Sequence, residues 1–309
     1  MSLCEHIITK TGEPDSKILL IALGNAVLWG QLEVYKLLTK NLANKNPENH
    51  KGFTPLHLAA QFGQFEICNF ILEAITDKNP KANGGLTPLH IAAQEGHSEV
   101  CSLLMASVTD KNPRRYDDWT PLHSAAQNGH FKICSLLINA IADKNPRRND
   151  GWTPLHSAAQ NGHLNICKLI MEEILDKNPR KNNGWTPLHS AAQNGHLSIC
   201  RLIMKHLSNK NPRRNNGSTP LHLAARKGHS NVYAFIMEDL EDKNPKRSDG
   251  FTPLHLAARN GHLQVCKIIC DNVEDTNPSS DNGETPINLA SLKEHFEVVS
   301  FLQFINDVD

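Results

Sequence analysis

The chain has 309 residues, 32 of them basic and 32 acidic, so a formal charge of zero gives no global attraction toward nucleic acid or an anionic membrane. Hydrophobic residues make up 39% and aromatics 6%; with no run of about 18 apolar residues, no membrane span is expected.

The first apolar segment, Lys17 to Gly24, reads KILLIALG. Glu13 and Asp15 stand ahead of it where a secretory leader carries basic residues, so a buried helix is expected rather than a leader. After Gly30, Val34, Leu37 and Leu38 mark an amphipathic second helix. From residue 54 onward a strict period takes over. Thr-Pro-Leu-His begins at Thr54, Thr87, Thr120, Thr153, Thr186, Thr219 and Thr252, and a degraded Thr-Pro-Ile-Asn begins at Thr285. Every step is 33 residues, and Asn-Pro and a single glycine keep the same beat. A fixed period over nearly the whole chain is the signature of a stacked repeat protein.

One copy shows why the unit folds as it does. Thr153 is placed to cap a helix whose first residue is Pro154, where the missing donor costs nothing. Leu155, Ala158 and Ala159 form its narrow apolar face, and Gly162 ends it with a left-handed residue. A second helix is predicted from about His163 to Glu173, with Ile166, Cys167, Leu169 and Ile170 facing the core. Asn178-Pro179 and Asn183-Gly184 mark a turn-rich loop. The unit is helix, turn, helix, long loop, and only a stack of such units can bury its apolar faces.

The run from Gly151 to His163, GWTPLHSAAQNGH, resembles the ankyrin repeat family, and the resemblance covers about residues 17–309. It implies an all-α solenoid with hairpin-like loops projecting as fingers from one edge and a concave face lined by fingers and first helices. The organisation expected is a single solenoid over 1–309, with an N-terminal capping unit at 17–44, seven full repeats at 45–276 and a C-terminal capping unit at 277–309. One departure is systematic. Where the family has Gly-Ala-Asp-Val-Asn after the second helix, this chain has Ile174-Leu175-Asp176-Lys177-Asn178. The glycine is apolar in every repeat, and the valine is lysine at Lys45, Lys78, Lys111, Lys144, Lys177, Lys210 and Lys243. A buried side chain moved to the glycine position, and an altered helix end, are the expected consequences.

Cysteine and histidine test whether the repeats carry chemistry. Cys68, Cys101, Cys134, Cys167, Cys200 and Cys266 occupy one position of the second helix. Stacked helices lie about 8–10 Å apart, beyond the roughly 7 Å Cα limit of a disulfide. These thiols are therefore expected as small buried hydrophobes in a reducing compartment, the cytoplasm or nucleus. Fourteen of the 17 histidines fall into two ladders, one inside the motif and one ten residues after its threonine. A full repeat separates neighbours, too far to share one ion. The resemblance implies that they orient loops. No metal or cofactor site is expected, and because each candidate nucleophile or base recurs about seven times, no enzymatic function is expected either.

Function should lie where exposed loops differ. The eight nine-residue fingers, from the lysine position to the residue before the motif threonine, carry +1, +2, +1, +2, +3, +3, +2 and −2 in chain order, +12 in all, so the remainder carries −12. Five fingers hold basic pairs: Arg114/Arg115, Arg147/Arg148, Arg180/Lys181, Arg213/Arg214 and Lys246/Arg247. The residue before the threonine is Trp119, Trp152, Trp185 or Phe251 in four of them, and each tryptophan is matched by a serine just after the motif: Ser124, Ser157 and Ser190. Large outside and small inside predicts either an indole folded over its own helix or a shallow pocket beside it. These residues are the candidate partner-binding set. The expected partner is a protein with an acidic or phosphorylated segment, bound to a monomer; at about 10 Å per repeat and 3.3 Å per extended residue, roughly three ligand residues span one repeat. The alternatives are single-stranded nucleic acid held by phosphate contact and stacking, opposed by the interrupting acids Asp117, Asp118, Asp150 and Asp249, and service as the recruitment arm of a larger protein.

Overall fold

The computed structural model describes residues 16–307, so Glu13, Asp15 and Asp309 lie outside the described residues. Among the described residues there are 18 α-helices, one 3-10 turn at Asn83–Gly85 and no strand beyond an isolated bridge between Ala82 and Leu86. The chain divides into two compact units, residues 1–149 and 150–309.

The first unit holds α1 (Ser16–Leu28), α2 (Leu32–Thr39), α3 (Pro55–Gln61), α4 (Phe65–Ala74), α5 (Pro88–Glu95), α6 (Ser98–Ser107), α7 (Pro121–Asn128) and α8 (Phe131–Ala140). The second holds α9 (Pro154–Gln160), α10 (Leu164–Glu173), α11 (Pro187–Gln193), α12 (Leu197–Met204), α13 (Pro220–Lys227), α14 (Ser230–Met237), α15 (Pro253–Arg259), α16 (Leu263–Cys270), α17 (Pro286–Leu292) and α18 (Phe296–Asn306). Within each unit every even-numbered helix packs on the odd-numbered one before it, and successive odd-numbered helices pack on one another. The alanine pairs permit this close approach: Ala158 and Ala159, like their counterparts, are fully buried.

The motif histidine does most of the cross-bracing. At α9, the Thr153 backbone N–H donates to His156 Nδ1 at 3.3 Å, and the Thr153 hydroxyl lies 2.9 Å from the same nitrogen. A backbone N–H can only donate, so Nδ1 is the acceptor and the proton sits on Nε2. Nε2 then donates to the carbonyl before the next motif threonine, Trp185 O at 3.4 Å. The same bond runs from His57 to Leu86, His90 to Trp119, His189 to Ser218, His222 to Phe251 and His255 to Glu284. The threonine thus serves mainly as a partner for the imidazole; its oxygen accepts a backbone N–H at 3.5 Å in α11 and α15, and at 3.3 Å in α17, where asparagine replaces the motif histidine. Burial pushes the motif histidines down, to about 4 at His57 and His90 and about 3 at His189 and His222.

The second histidine ladder holds the turns. His97, His130, His196, His229 and His262 each send Nε2 to the end of the first helix of the preceding repeat, at Gln61, Gln94, Gln160, Gln193 and Arg226 carbonyls. Gly195 shows why the turn residue is glycine: φ is +76°, and a Cβ would sit 2.8 Å from the His229 ring.

The departure at the finger base has a physical explanation. The apolar residue in the glycine position is extended, with Ile174 at φ −118° and ψ 154°, so no left-handed residue is required there. It is half-buried rather than buried. The following lysine turns back to the helix end: Lys45, Lys78, Lys111, Lys144, Lys177 and Lys210 each donate to the carbonyl six residues earlier. A cation at a helix C-terminus satisfies orphan carbonyls and opposes the helix dipole. The preceding acid completes the turn, as Asp176 Oδ1 accepts from Asn178 N at 3.0 Å.

Two other expectations are settled. The six column cysteines are fully buried and unpaired, with burial raising their thiols to about 12. The segment at 17–24 is helical but not buried: Leu23 is inside, whereas Ile18 and Ile21 are 49% and 58% exposed.

Candidate functional site

Each finger is a hairpin-like turn closed by its own backbone. Lys181 N donates to Trp185 O at 2.7 Å, and the equivalent bond closes the fingers at Arg115, Arg214 and Arg247. Glycine makes the return possible, as at Gly184 with φ +81°. In the finger of residues 111–119 the position is Asp118, which keeps a positive φ of 61° without being glycine. Neighbouring fingers are joined backbone to backbone: Tyr116 N to Gly84 O in the first unit, and Asn182 N to Asp150 O, Asn215 N to Asn183 O and Ser248 N to Asn216 O in the second.

The basic pairs divide into two roles. First members Arg114, Arg147, Arg180, Arg213 and Lys246 are exposed. Three of them cross to the next finger, where Arg114, Arg180 and Arg213 donate to the carbonyls of Arg147, Arg213 and Lys246 at 2.8, 2.8 and 2.7 Å. Second members Arg115, Arg148, Lys181, Arg214 and Arg247 are half-buried. Arg148 lies over the Trp119 ring, Lys181 over Trp152 and Arg214 over Trp185, at 5.3, 4.7 and 4.6 Å from the ring centroids. Arg247 has no indole in the preceding finger and lies over Phe251 of its own, at 5.5 Å.

The tryptophans fold over their own helices. Trp119, Trp152 and Trp185 donate Nε1–H to Ser124, Ser157 and Ser190 Oγ at 2.8, 2.8 and 2.7 Å. Each indole also packs on the motif histidine, with centroids 4.9 to 5.7 Å apart. Of the two arrangements the sequence allowed, the structure has the folded-over indole. Phe251 is only 9% exposed and packs with Leu256 and Leu289.

The sequence matches the family described as Ankyrin repeats (3 copies) over residues 3–82, 23–115, 89–181, 170–247 and 236–309. The chain belongs to the ankyrin repeat family. Comparison with curated proteins finds no match. Ankyrin repeats are generally protein–protein interaction modules and typically non-enzymatic, and this chain is an all-α ankyrin-repeat solenoid. Among its described residues no helix is long and apolar enough to cross a membrane.

Within the ankyrin fingers the acids that interrupt the basic stripe are paired with it. Asp117 lies 3.5 Å from both Arg115 and Arg148, Asp150 lies 2.7 Å from Lys181, and Asp249 pairs with Arg247. The residue at this position also accepts the backbone N–H two residues on, as Asp150 does from Trp152 at 3.0 Å. The finger lysines at the helix ends are likewise engaged, so part of the +12 finger charge braces the fold. Neither role was legible from side-chain patterns alone, because the lysine acceptors are backbone carbonyls.

Proposed function

We propose that the fingers between residues 114 and 251 hold an acidic or phosphorylated segment of a protein partner, and that the chain is a non-enzymatic interaction scaffold. The observation that supports this most is the exposed first members repeated every 33 residues, Arg114 and Arg147 in the first unit and Arg180, Arg213 and Lys246 in the second, with half-buried tryptophans in both units. Arginine offers forked donors to carboxylate and phosphate, and aromatic and arginine side chains are the usual anchors of interfaces. The neutral total charge hides this surface, since the fingers and the remainder carry opposite charge.

The reading as a single-strand nucleic-acid binder is disfavoured by the indoles. Base stacking needs a free ring face. Trp119, Trp152 and Trp185 each pack on a histidine and carry a cation over the ring.

The test is competition among ligand classes on the native chain. Labelled peptide pools with degenerate flanks and a central glutamate run, phosphoserine or glutamine run are compared with a single-stranded oligonucleotide. The anionic pools are expected to bind best, and Arg147→Glu/Arg180→Glu/Arg213→Glu to weaken them by about tenfold or more. Unchanged affinity in that variant, or preference for the oligonucleotide, refutes the reading.

A further inference from the structure

The second member of each basic pair has two places where a carboxylate can meet it. One is two residues later in its own finger, as in Arg115 with Asp117 and Arg247 with Asp249; the other is in the finger before, as in Arg148 with Asp117 and Lys181 with Asp150. At Arg115, Arg148, Lys181 and Arg247 at least one of the two is aspartate. At Arg214 both are amides, Asn216 in its own finger and Asn183 in the finger before. These amides keep the backbone task, since Asn183 Oδ1 accepts from Trp185 N at 3.0 Å and Asn216 Oδ1 from Ser218 N at 3.1 Å. What has been removed is the counter-charge alone.

Arg214 is built into the molecule all the same. Its guanidinium lies 4.6 Å from the centroid of the Trp185 ring, and its Nε–H is buried without a hydrogen-bond partner. Arg115 Nε is buried and unpartnered in the same sense but has Asp117 at 3.5 Å; no ion pair involves Arg214 among the described residues. Arg226 and Arg247 add positive charge to its surroundings, Arg247 being already paired with Asp249. On α13 the residue aligned with Gln127, Gln160 and Gln193 is Arg226, and Arg226 is exposed. Burial first, then the charges of Arg226 and Arg247, hold the Arg214 pKa below the usual arginine value. A buried donor without a partner is costly, and an arginine with no carboxylate of its own beside further positive charge adds to that cost. A dianion at the exposed side of the guanidinium relieves the second cost.

We propose that Arg214, with Arg226, forms a phosphate site that takes a phosphorylated side chain of the bound protein segment, a refinement that rests on the finger reading above. Phosphate fits better than carboxylate because it brings close to two negative charges and three acceptor oxygens to both guanidinium groups at once. The terminal amino groups of Arg214 and the fork of Arg226 supply the donors, and Trp185 holds the Arg214 plane in place.

Asn183→Asp is the decisive variant. It restores the carboxylate that neighbouring fingers possess, removes no basic residue, and retains the side-chain oxygen that accepts from Trp185. It is therefore expected to fold as the wild type does. Affinities are measured by fluorescence anisotropy with the phosphoserine, serine and glutamate pools. The wild type is expected to prefer the phosphoserine pool by about tenfold or more. Asn183→Asp and Arg226→Gln should each abolish most of that preference, and the Arg214 Nε–H resonance should move when inorganic phosphate alone is added. Equal binding of the phosphoserine and glutamate pools, with both weakened by the finger charge reversals, overturns the phosphate site and leaves the finger reading standing. An unaltered phosphoserine preference in Asn183→Asp also overturns it. Binding of none of the pools overturns both.

Discussion

His222 and Arg213 each send a side-chain N–H to a backbone carbonyl of the next repeat, His222 to Phe251 at 3.2 Å and Arg213 to Lys246 at 2.7 Å. Both recur at 33-residue intervals. His222 is fully buried and has the Thr219 N–H on its other nitrogen; Arg213 is exposed and can exchange its carbonyl for water or a ligand. Identical spacing therefore serves two purposes. A buried donor whose loss strands its acceptor fixes the scaffold, whereas a solvated donor holds the fingers in register and stays available.

Breaking the buried side should have the largest effect. His222→Ala removes a packed ring and strands the Phe251 carbonyl and the Thr219 N–H, so a loss of about 3 kcal/mol or more is expected from denaturant unfolding. Acid should do similar damage to all repeats together. The folded pKa values of His57 and His90, about 4, lie below the ordinary 6.5, so the unfolded state binds more protons between these values. Stability is thus full above about pH 6.5 and falls as pH drops toward 4, by about 3 kcal/mol for each such histidine. A flat stability profile from pH 7 to 4.5 would contradict the neutral ladder.

The exposed side should yield smaller changes in stability. Asp118 holds a positive φ of 61° where other fingers have glycine, so Asp118→Gly should stabilise by roughly 1 kcal/mol, less the small share of its 3.6 Å pair with Arg114. Arg213→Gln should change stability by only a few tenths of a kcal/mol, since exposed donors and ion pairs contribute little. Thermal unfolding of the two variants beside wild type measures both.

The scaffold was legible because its determinants are side chains at fixed spacing. Thr-Pro-Leu-His places the first helices, and the glycine before the ladder histidines up to His262 suits a left-handed turn with a ring lying against it, whereas Glu294 takes that conformation before His295. The finger base was not legible in the same way. The lysine that replaces the family's valine works through carbonyls, which no residue pattern displays, and it made the fingers look freer in charge than they are. Phe251 resembled the tryptophans in register, yet Leu256 in place of serine lets it pack inward. Ile18 and Ile21 looked like core residues because a short apolar run carries no information about which faces find neighbours. The amides Asn183 and Asn216 looked like ordinary turn residues until the ion pairs of the other fingers gave their absence of charge a meaning.

The most direct test pairs binding with stability in a single variant, Arg147→Gln/Arg180→Gln/Arg213→Gln, measured with the phosphoserine and glutamate pools and by thermal unfolding. The account predicts a thermal midpoint within about 3 °C of wild type and an affinity lowered by about tenfold or more. Full affinity in a variant that remains folded would contradict it, and would assign recognition to a face other than the fingers.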